Sequence, residues 1–419
     1  MKPAILFVSY YYHPQMLTAT RNYYLSKMLA DQGYEVHVLS IESIAQQNLA
    51  PEHVHYHPVK AWDYRRVLKL LRFQDGITST KIKSEKFIEW GHQLLLKYPF
   101  NFILGEGGGL YYRKAIIRGK SLIRQYPIQY IYSSYRPITD HGIASHLKVS
   151  FPQIKWIGDF RDVLWWTRAD HHYQQSWIRK MIYSMDYITA VTKGIADFWS
   201  SVYKKPVLTL YNGLPEVNIH PSNPDRWQNK FVINYTGRIY TYFQRADIFF
   251  LAIRELIHEV PEFARDILIH YAGINKLHWQ AWLDEFGLKD YALVLDHQPV
   301  EYAWHCQARA QINLLLTWTT PDVTGFIHGK YNEYLAARNP ILCIVEGKPD
   351  IELEELYRPL TNCLIITNEA TNESRLKEYI MTLYRQWKSG GEPYLMQAEW
   401  LKPYAWARVG QPLLEILES

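Results

Sequence analysis

The stretch FVINYTGRIYTYFQRADIFFLAIRELIHEV (residues 231–260) decides the fold. Its first six residues are apolar or β-prone and stop at Gly237, and from Ala246 onward the apolar residues recur at helical spacing. A strand that ends at a glycine and feeds a helix is the repeating unit of a parallel sheet. The turn between them carries Arg238 and Arg245. A glycine lets a ligand approach the backbone closely, and two guanidinium groups flanking such a turn suit the oxygens of a diphosphate; the competing reading is a pair of surface arginines.

The same rhythm runs outward in both directions. Before residue 213 the strand-like segments are AILFVS, YEVHVLS, IQYIYSS, IKWIGD, DYITAV and VLTLYN, alternating with helical stretches such as TRNYYLSKMLADQG and DHGIASHLKVSF. After residue 230 they are FVINYTG, DILIHYAG, ALVLDH, QINLLLT and ILCIVEG. Between the two runs, LPEVNIHPSNPDRWQN (214–229) is rich in Pro and Asn and has neither period, which marks a linker. The pattern predicts an α/β protein of two Rossmann-like, doubly wound domains facing a cleft. Several first-half strands end in polar residues: Ser9, Ser133, Ser134, Asp159, Thr192 and Asn212. Ligands of open parallel sheets gather at the carboxyl ends of strands, so these residues are expected to line one crevice.

HGKYNEYLAARNPIL (328–342) reads as a helix that places Tyr331, Tyr334 and Leu335 on one apolar face, stops at Asn339-Pro340 and passes into a strand from Ile341. Lys330 and Glu333 fall in its opening turn. Free N–H groups and the positive dipole end near Gly329 make that turn a candidate anion seat, which Lys330 strengthens. Glu333 needs a different partner.

At 419 residues the chain is long enough for two domains, each with its own core. The aromatic share, 15% with 33 tyrosines and 15 tryptophans, fits a tyrosine-rich core and surface or a set of stacking platforms. Cys306, Cys343 and Cys363 show no paired spacing, so free thiols in a reducing cytoplasm are expected. The N-terminus enters a strand directly, and no apolar run approaches a membrane span, so a cytoplasmic chain is expected. The net charge of +5 conceals an asymmetry. Residues 1–200 hold 25 basic against 15 acidic side chains, and the remainder holds 21 against 26. WDYRRVLKLLRF (62–73) places Arg65, Arg66, Lys69 and Arg72 opposite an apolar face, as an anionic membrane surface or an ordinary solvated helix would require.

Two chemistries common on such sheets are disfavoured. GEGGGL (105–110) has Leu110 where the third glycine of a dinucleotide loop belongs, and no GxxxxGK[ST] loop is present. DFRD offers Asp159, Arg161 and Asp162 at a strand end, with Asp159 read as functional and Asp162 as part of a local ion-pair network. His141 stands at a helix start, where a histidine often serves as a cap. His53, His55 and His57 alternate as on a solvated strand face and lack partners for a metal.

Taken in order, ILFVSYYYHPQ with Arg21, IYSSYRPITDHGIASHL, KWIGDFRDVLWW, ITAVTKGIADF, LYNGL, NYTGRIY with Arg245, and GKYNEYLAARNPIL resemble the GT-B-fold, retaining, nucleotide-sugar-dependent glycosyltransferases of family 4. The resemblance implies a donor site of Gly237, Arg238, Arg245, Gly329, Lys330 and Glu333. In it the arginines hold the diphosphate and Glu333 the ribose hydroxyls, with Arg238, Arg245, Glu333 and His141 as the catalytic group. It also implies an acceptor side formed by Tyr12, Arg21, Ser134, Asp159 and Arg161. The domains expected are 1–213 for the acceptor, 230–395 for the donor, and a helical segment 396–419 packing back on the first. No metal or other cofactor is implied. The partners implied are a nucleotide-sugar donor, a glycan or lipid-linked acceptor, and an anionic membrane face for a cytoplasmic, peripheral enzyme of surface-glycan assembly; no nucleic acid is expected. Two departures stand out: Gly325 where the family's E-x7-E pair has its first carboxylate, and LTAT (17–20) in place of a glycine pair. A sugar-nucleotide epimerase of the same fold and a non-catalytic nucleotide-sugar-binding subunit are the alternatives.

Overall fold

The structure is a computed structural model, and it describes residues 2–14, 19–42, 50–62, 103, 107–135, 137–162, 172–214, 227, 229–321, 323–327, 329–360, 362–390 and 395–419. The basic segment from Asp63 to Phe73 and most of the linker 214–229 therefore lie outside the described residues. The chain divides into two compact units. The first comprises Met1–Val191, Trp199–Tyr211 and Gly410–Ser419, and the second Thr192–Phe198 and Asn212–Val409.

In the first unit, β1 (Ala4–Val8), β2 (Glu35–Ile41), β3 (Val54–Val59), β4 (Ile128–Tyr135), β5 (Lys155–Phe160), β6 (Tyr187–Ala190) and β7 (Leu208–Thr209) form one sheet in the order β3-β2-β1-β4-β5-β6-β7. All its pairings are parallel. The helices are α1 (Thr20–Asp31), α2 (Gly109–Gln125), α3 (Ile138–Ser150), α4 (His172–Tyr183) and α5 (Lys193–Tyr203), whose first turn belongs to the second unit. Every residue of β1 is buried, as expected of a parallel strand covered on both faces.

The second unit repeats the plan. Its strands β8 (Phe231–Thr236), β9 (Ile267–Ala272), β10 (Ala292–Leu295), β11 (Ile312–Trp318), β12 (Ile341–Glu346) and β13 (Cys363–Thr367) run in the order β10-β9-β8-β11-β12-β13, again all parallel. Between them lie α6 (Asp247–Glu259), α7 (Pro261–Asp266), α8 (Lys276–Glu285), α9 (Val300–Arg309), α10 (Lys330–Ala337), α11 (Ile351–Tyr357) and α12 (Glu373–Lys388). The strands' two-residue period separates two cores. Phe231, Ile233, Tyr235, Leu314, Leu316 and Ile344 pack with residues of α6, α8 and α12, while Leu315, Ile341, Cys343 and Val345 pack with Tyr331, Tyr334 and Leu335 of α10. The expected helix-to-strand passage at 328–342 is present, with Arg338 in the left-handed region (φ 64°) ending the helix.

Short helices α13 (Ala398–Leu401) and α14 (Trp406–Val409) precede the terminal helix α15 (Gln411–Glu418). The segment 396–419, expected to pack back on the first domain, divides between the two units. Met396, Leu401 and Tyr404 are buried in the second unit's core, and Leu214 N–H donates to the Tyr404 carbonyl. Only α15 joins the first unit, burying Leu413, Ile416 and Leu417 while the Tyr130 hydroxyl donates to the Ile416 carbonyl. Residues 192–198 join the second unit because the Glu352 carboxylate accepts from the N–H groups of Lys193 (2.6 Å) and Gly194 (2.7 Å) at the opening of α5. No described helix is long and apolar enough to cross a membrane.

Candidate functional site

In both sheets the strand order reverses beside the first strand, between β1 and β4 and between β8 and β11. That switch point opens at the carboxyl ends of the strands, where ligands bind in such sheets. The two units fill it differently.

In the second unit, β8 ends in Gly237 at φ +117°, a conformation that favours glycine. A Cβ there would lie 2.5 Å from Lys330 Cε, so the absent side chain is what lets the lysine cross the turn. Lys330 Nζ donates to the Tyr235 hydroxyl (2.7 Å) and to the Arg238 carbonyl (3.1 Å), and lies 3.9 Å from the Tyr235 ring centroid. The ring is itself seated: Tyr235, Tyr271 and Trp279 stack on one another. An ammonium over an aromatic face is attracted by the ring quadrupole. Burial outweighs that attraction and the pull of Glu333, and lowers the lysine pKa to about 7.

Glu333, one turn along α10, is half-buried. Gln307 Nε2 donates to its Oε2 at 2.9 Å. Burial pushes the carboxyl pKa up against the lowering influence of Gln307 and Lys330. Arg238 is exposed, its guanidinium carbon 5.8 Å from the Tyr240 ring centroid. Arg245, also exposed, forms a two-point ion pair with Asp247, Nε–Oδ2 2.7 Å and Nη2–Oδ1 2.9 Å. Gly329 precedes α10 with φ −55°, a conformation open to any residue. Gly237, Arg238, Lys330 and Glu333 thus form one cationic strand-end turn with a carboxylate beside it, while Arg245 stands at the head of α6 tied to Asp247.

The glycine at 325 also has a physical account. Gly325 sits at φ +72°, and a Cβ there would lie 2.2 Å from Glu352 Oε2. The space a side chain would enter already holds a carboxylate, delivered from the start of α11. The Gly325 N–H donates to Asp350 (2.8 Å), fixing the loop beneath it.

In the first unit the strand-end charges are spent on one another. Arg21 and Asp159, both fully buried, pair through Nε–Oδ2 (2.9 Å) and Nη2–Oδ1 (2.7 Å). Ser134 and Thr189 hydroxyls donate to the same carboxylate at 2.7 and 2.8 Å. Burial opposes the charge, but Arg21 and the two hydroxyls hold the carboxyl below its ordinary range. Arg21, Ser134 and Asp159, expected to face an acceptor, are thus bonded to one another at the strand ends. Tyr12 is likewise committed, its hydroxyl 2.6 Å from Ser26 Oγ and its ring stacked on Tyr56. Arg161 Nε donates to the Tyr135 carbonyl at 2.6 Å.

His141 is fully buried on α3 with Nδ1 2.7 Å from Ser133 Oγ, so it does not cap its helix. Ser133 Oγ also accepts from the Trp156 indole N–H (2.8 Å). Nε2 has no partner among the described residues, and burial lowers the imidazole pKa to about 3, so the ring is neutral. His55 is exposed as expected, but His57 is buried 3.0 Å from His37 Nδ1, because β2 brings a third histidine against that face.

Gln307, Thr236 and the ring of Tyr235 were not singled out by the sequence. The YTG of NYTG was a usable signal for Tyr235; a glutamine in the middle of VEYAWHCQAR carries none.

No family model matches the chain, and no curated protein matches it. Among solved structures it is similar to sucrose-phosphate synthase from Thermosynechococcus elongatus, at 12% identity over 100% of this chain and 98% of that chain with a TM-score of 0.61. It is similar too to a glycosyltransferase from Rickettsia africae ESF-5, at 12% identity over 100% and 98% with a TM-score of 0.58. UDP-GlcNAc 2-epimerase from Methanocaldococcus jannaschii matches at 13% identity over 100% and 99% with a TM-score of 0.50. The likeness at these identities is one of fold: two Rossmann-like units of the GT-B type.

Proposed function

We propose that the protein is a glycosyltransferase that moves a sugar from a nucleoside-diphosphate donor to a hydroxyl acceptor with retention of configuration. The observation that carries this reading is the strand-end turn of the second unit, where Lys330 lies across Gly237, Arg238 stands exposed beside it, and Glu333 follows one turn along the same helix. A diphosphate needs donors and positive charge; vicinal hydroxyls need a carboxylate that accepts two bonds. Lys330, Arg238 and, once drawn from Asp247, Arg245 answer the first need, and Glu333 answers the second. The same cations stabilise the departing diphosphate, a task a divalent metal performs elsewhere, so the proposed reaction draws on no metal or other cofactor. His141, neutral and with an unspent Nε2, is suited to a hydrogen bond with a sugar hydroxyl. The basic excess of residues 1–200 suits an acceptor that is itself anionic or held at an anionic membrane surface.

The test is incubation of the pure protein with a panel of labelled sugar nucleotides, with and without a lipid-linked acceptor. Transfer or slow hydrolysis of one donor is expected, and Glu333→Gln should cost nucleoside-diphosphate affinity an order of magnitude or more, since a charge-assisted hydrogen bond is worth about 1.5–3 kcal/mol. Epimer formation would assign the sheet's switch point to the other chemistry of this fold. Binding without turnover would make the protein a nucleotide-sugar-binding subunit.

A further inference from the structure

Glu333 is held by an uncharged side chain from the facing helix. Gln307, on α9, is fully buried, and its amide donates at 2.9 Å to Glu333 Oε2 and at 2.9 Å to Thr236 Oγ1 at the end of β8. An amide has two N–H groups, so both are spent. Its main-chain carbonyl accepts from Asn313 Nδ2 and Asn339 Nδ2, each at 2.9 Å, which pins the residue from the opposite side. Its own Oε1 is buried with no partner among the described residues. An orphaned buried acceptor is costly, yet the reverse orientation would set that oxygen against the carboxylate, acceptor against acceptor.

We propose that Gln307 is a positioning residue that fixes the orientation and the ionised state of Glu333, presenting its second oxygen to the vicinal hydroxyls of a nucleoside ribose. The proposal rests on the reading of Glu333 given above. An arginine in place of Gln307 would grip both carboxylate oxygens and leave none for a ligand. A neutral amide holds one oxygen and leaves Oε1 to a ligand. Burial favours the protonated acid, and a donor aimed at the carboxylate opposes it. The groups that bear on this carboxyl are Lys330 on its own helix, the adjacent Tyr334 phenol, and from the facing helix the uncharged Gln307.

The test separates this role from packing. Carboxyl 13C NMR of the ligand-free protein, with the Glu333 signal identified by its loss in Glu333→Gln, reads the group's titration directly. In Gln307→Met, of similar length and folded by thermal melt, that titration should move up by about one pH unit or more. Gln307→Glu, which keeps the shape, forces two carboxyls to share a proton and should move one apparent value up further. Affinities for UDP, GDP and ADP are then followed against pH. A carboxylate that must be ionised to bind loses affinity as pH falls through its pKa, so Gln307→Met should weaken most at low pH and regain wild-type affinity within a few-fold by pH 9. An unmoved Glu333 titration with a loss equal at every pH overturns the proposal and leaves Gln307 as packing. A moved titration in a protein that binds none of the three nucleotides upholds the positioning role and removes the nucleotide reading instead.

Discussion

The two units share one strand order and one switch point, and they use it in opposite ways. At the end of the first unit's strands, Arg21 and Asp159 meet in a fully buried bidentate pair whose remaining acceptor sites are taken by Ser134 and Thr189. At the end of the second unit's strands, Lys330 and Glu333 are half-buried, and Arg238 is exposed over a tyrosine ring. Charge at a sheet's carboxyl edge is therefore not by itself a sign of ligand binding. What distinguishes the second unit is charge whose hydrogen-bonding capacity the fold has not consumed.

The largest effect that bears on this contrast is expected from Asp159→Asn. Removing one partner of a buried pair strands the other charge, at a cost of about 3–5 kcal/mol, while replacing both by apolar residues as in Arg21→Met with Asp159→Leu should recover much of it. Urea unfolding of the full chain reads the loss. Nucleoside-diphosphate affinity, measured where the variant is still folded, should not change. A stability cost below about 1 kcal/mol, the worth of an exposed pair, would erase the distinction between the units.

Next in size is Gly237→Ala. The backbone angle of +117° and the lysine chain 2.5 Å from the new Cβ should cost about 1–3 kcal/mol of stability. They should also displace Lys330, lowering nucleoside-diphosphate affinity roughly tenfold, the equivalent of 1.4 kcal/mol, and leaving binding of the plain nucleoside intact. Equal losses on both ligands would mean that the turn holds the fold together and makes no phosphate contact.

The smallest effect is a proton. With its pKa lowered to about 7, Lys330 is mostly neutral above that pH in the free protein, and a diphosphate beside it favours the ammonium form. Binding should therefore take up a proton above pH 7, and affinity should decline as pH rises, by less than tenfold per unit. Calorimetry in two buffers of different ionisation enthalpy measures the uptake. Binding without proton exchange would place the phosphates away from Lys330.

Much of this architecture is legible in the chain because parallel strands buried on both faces are continuous apolar runs, and AILFV, FVINYT and INLLLTW announce themselves. Strand β13, CLIIT, gives a weak signal because it is short and follows the proline-bearing stretch RPLTN. Helix α2 was hidden behind its glycine-rich opening, which drew attention as a loop. At the candidate site, residue types with an obvious charge preference could be singled out, but whether a charge is spent or available depends on partners far along the chain: Arg21 and Asp159 are joined across 138 residues. Gln307 and Glu333 meet for the same reason, through the packing of α9 on α10 and not through any spacing in the sequence.

The pairing of Gly325 with Glu352 bears on how proteins of this fold are compared. A side chain at 325 would enter the volume that the Glu352 carboxylate fills. The two positions behave as a lock with interchangeable keys: a side chain at 325 and the carboxylate of Glu352 compete for one volume, and the backbone angle of +72° penalises the former. Grafting the common glutamate onto 325 alone would collide with the resident carboxylate, and trimming Glu352 alone would uncap the N–H groups of Lys193 and Gly194. A lineage, or an engineer, moving between the two forms has to change both positions and relax that backbone angle together.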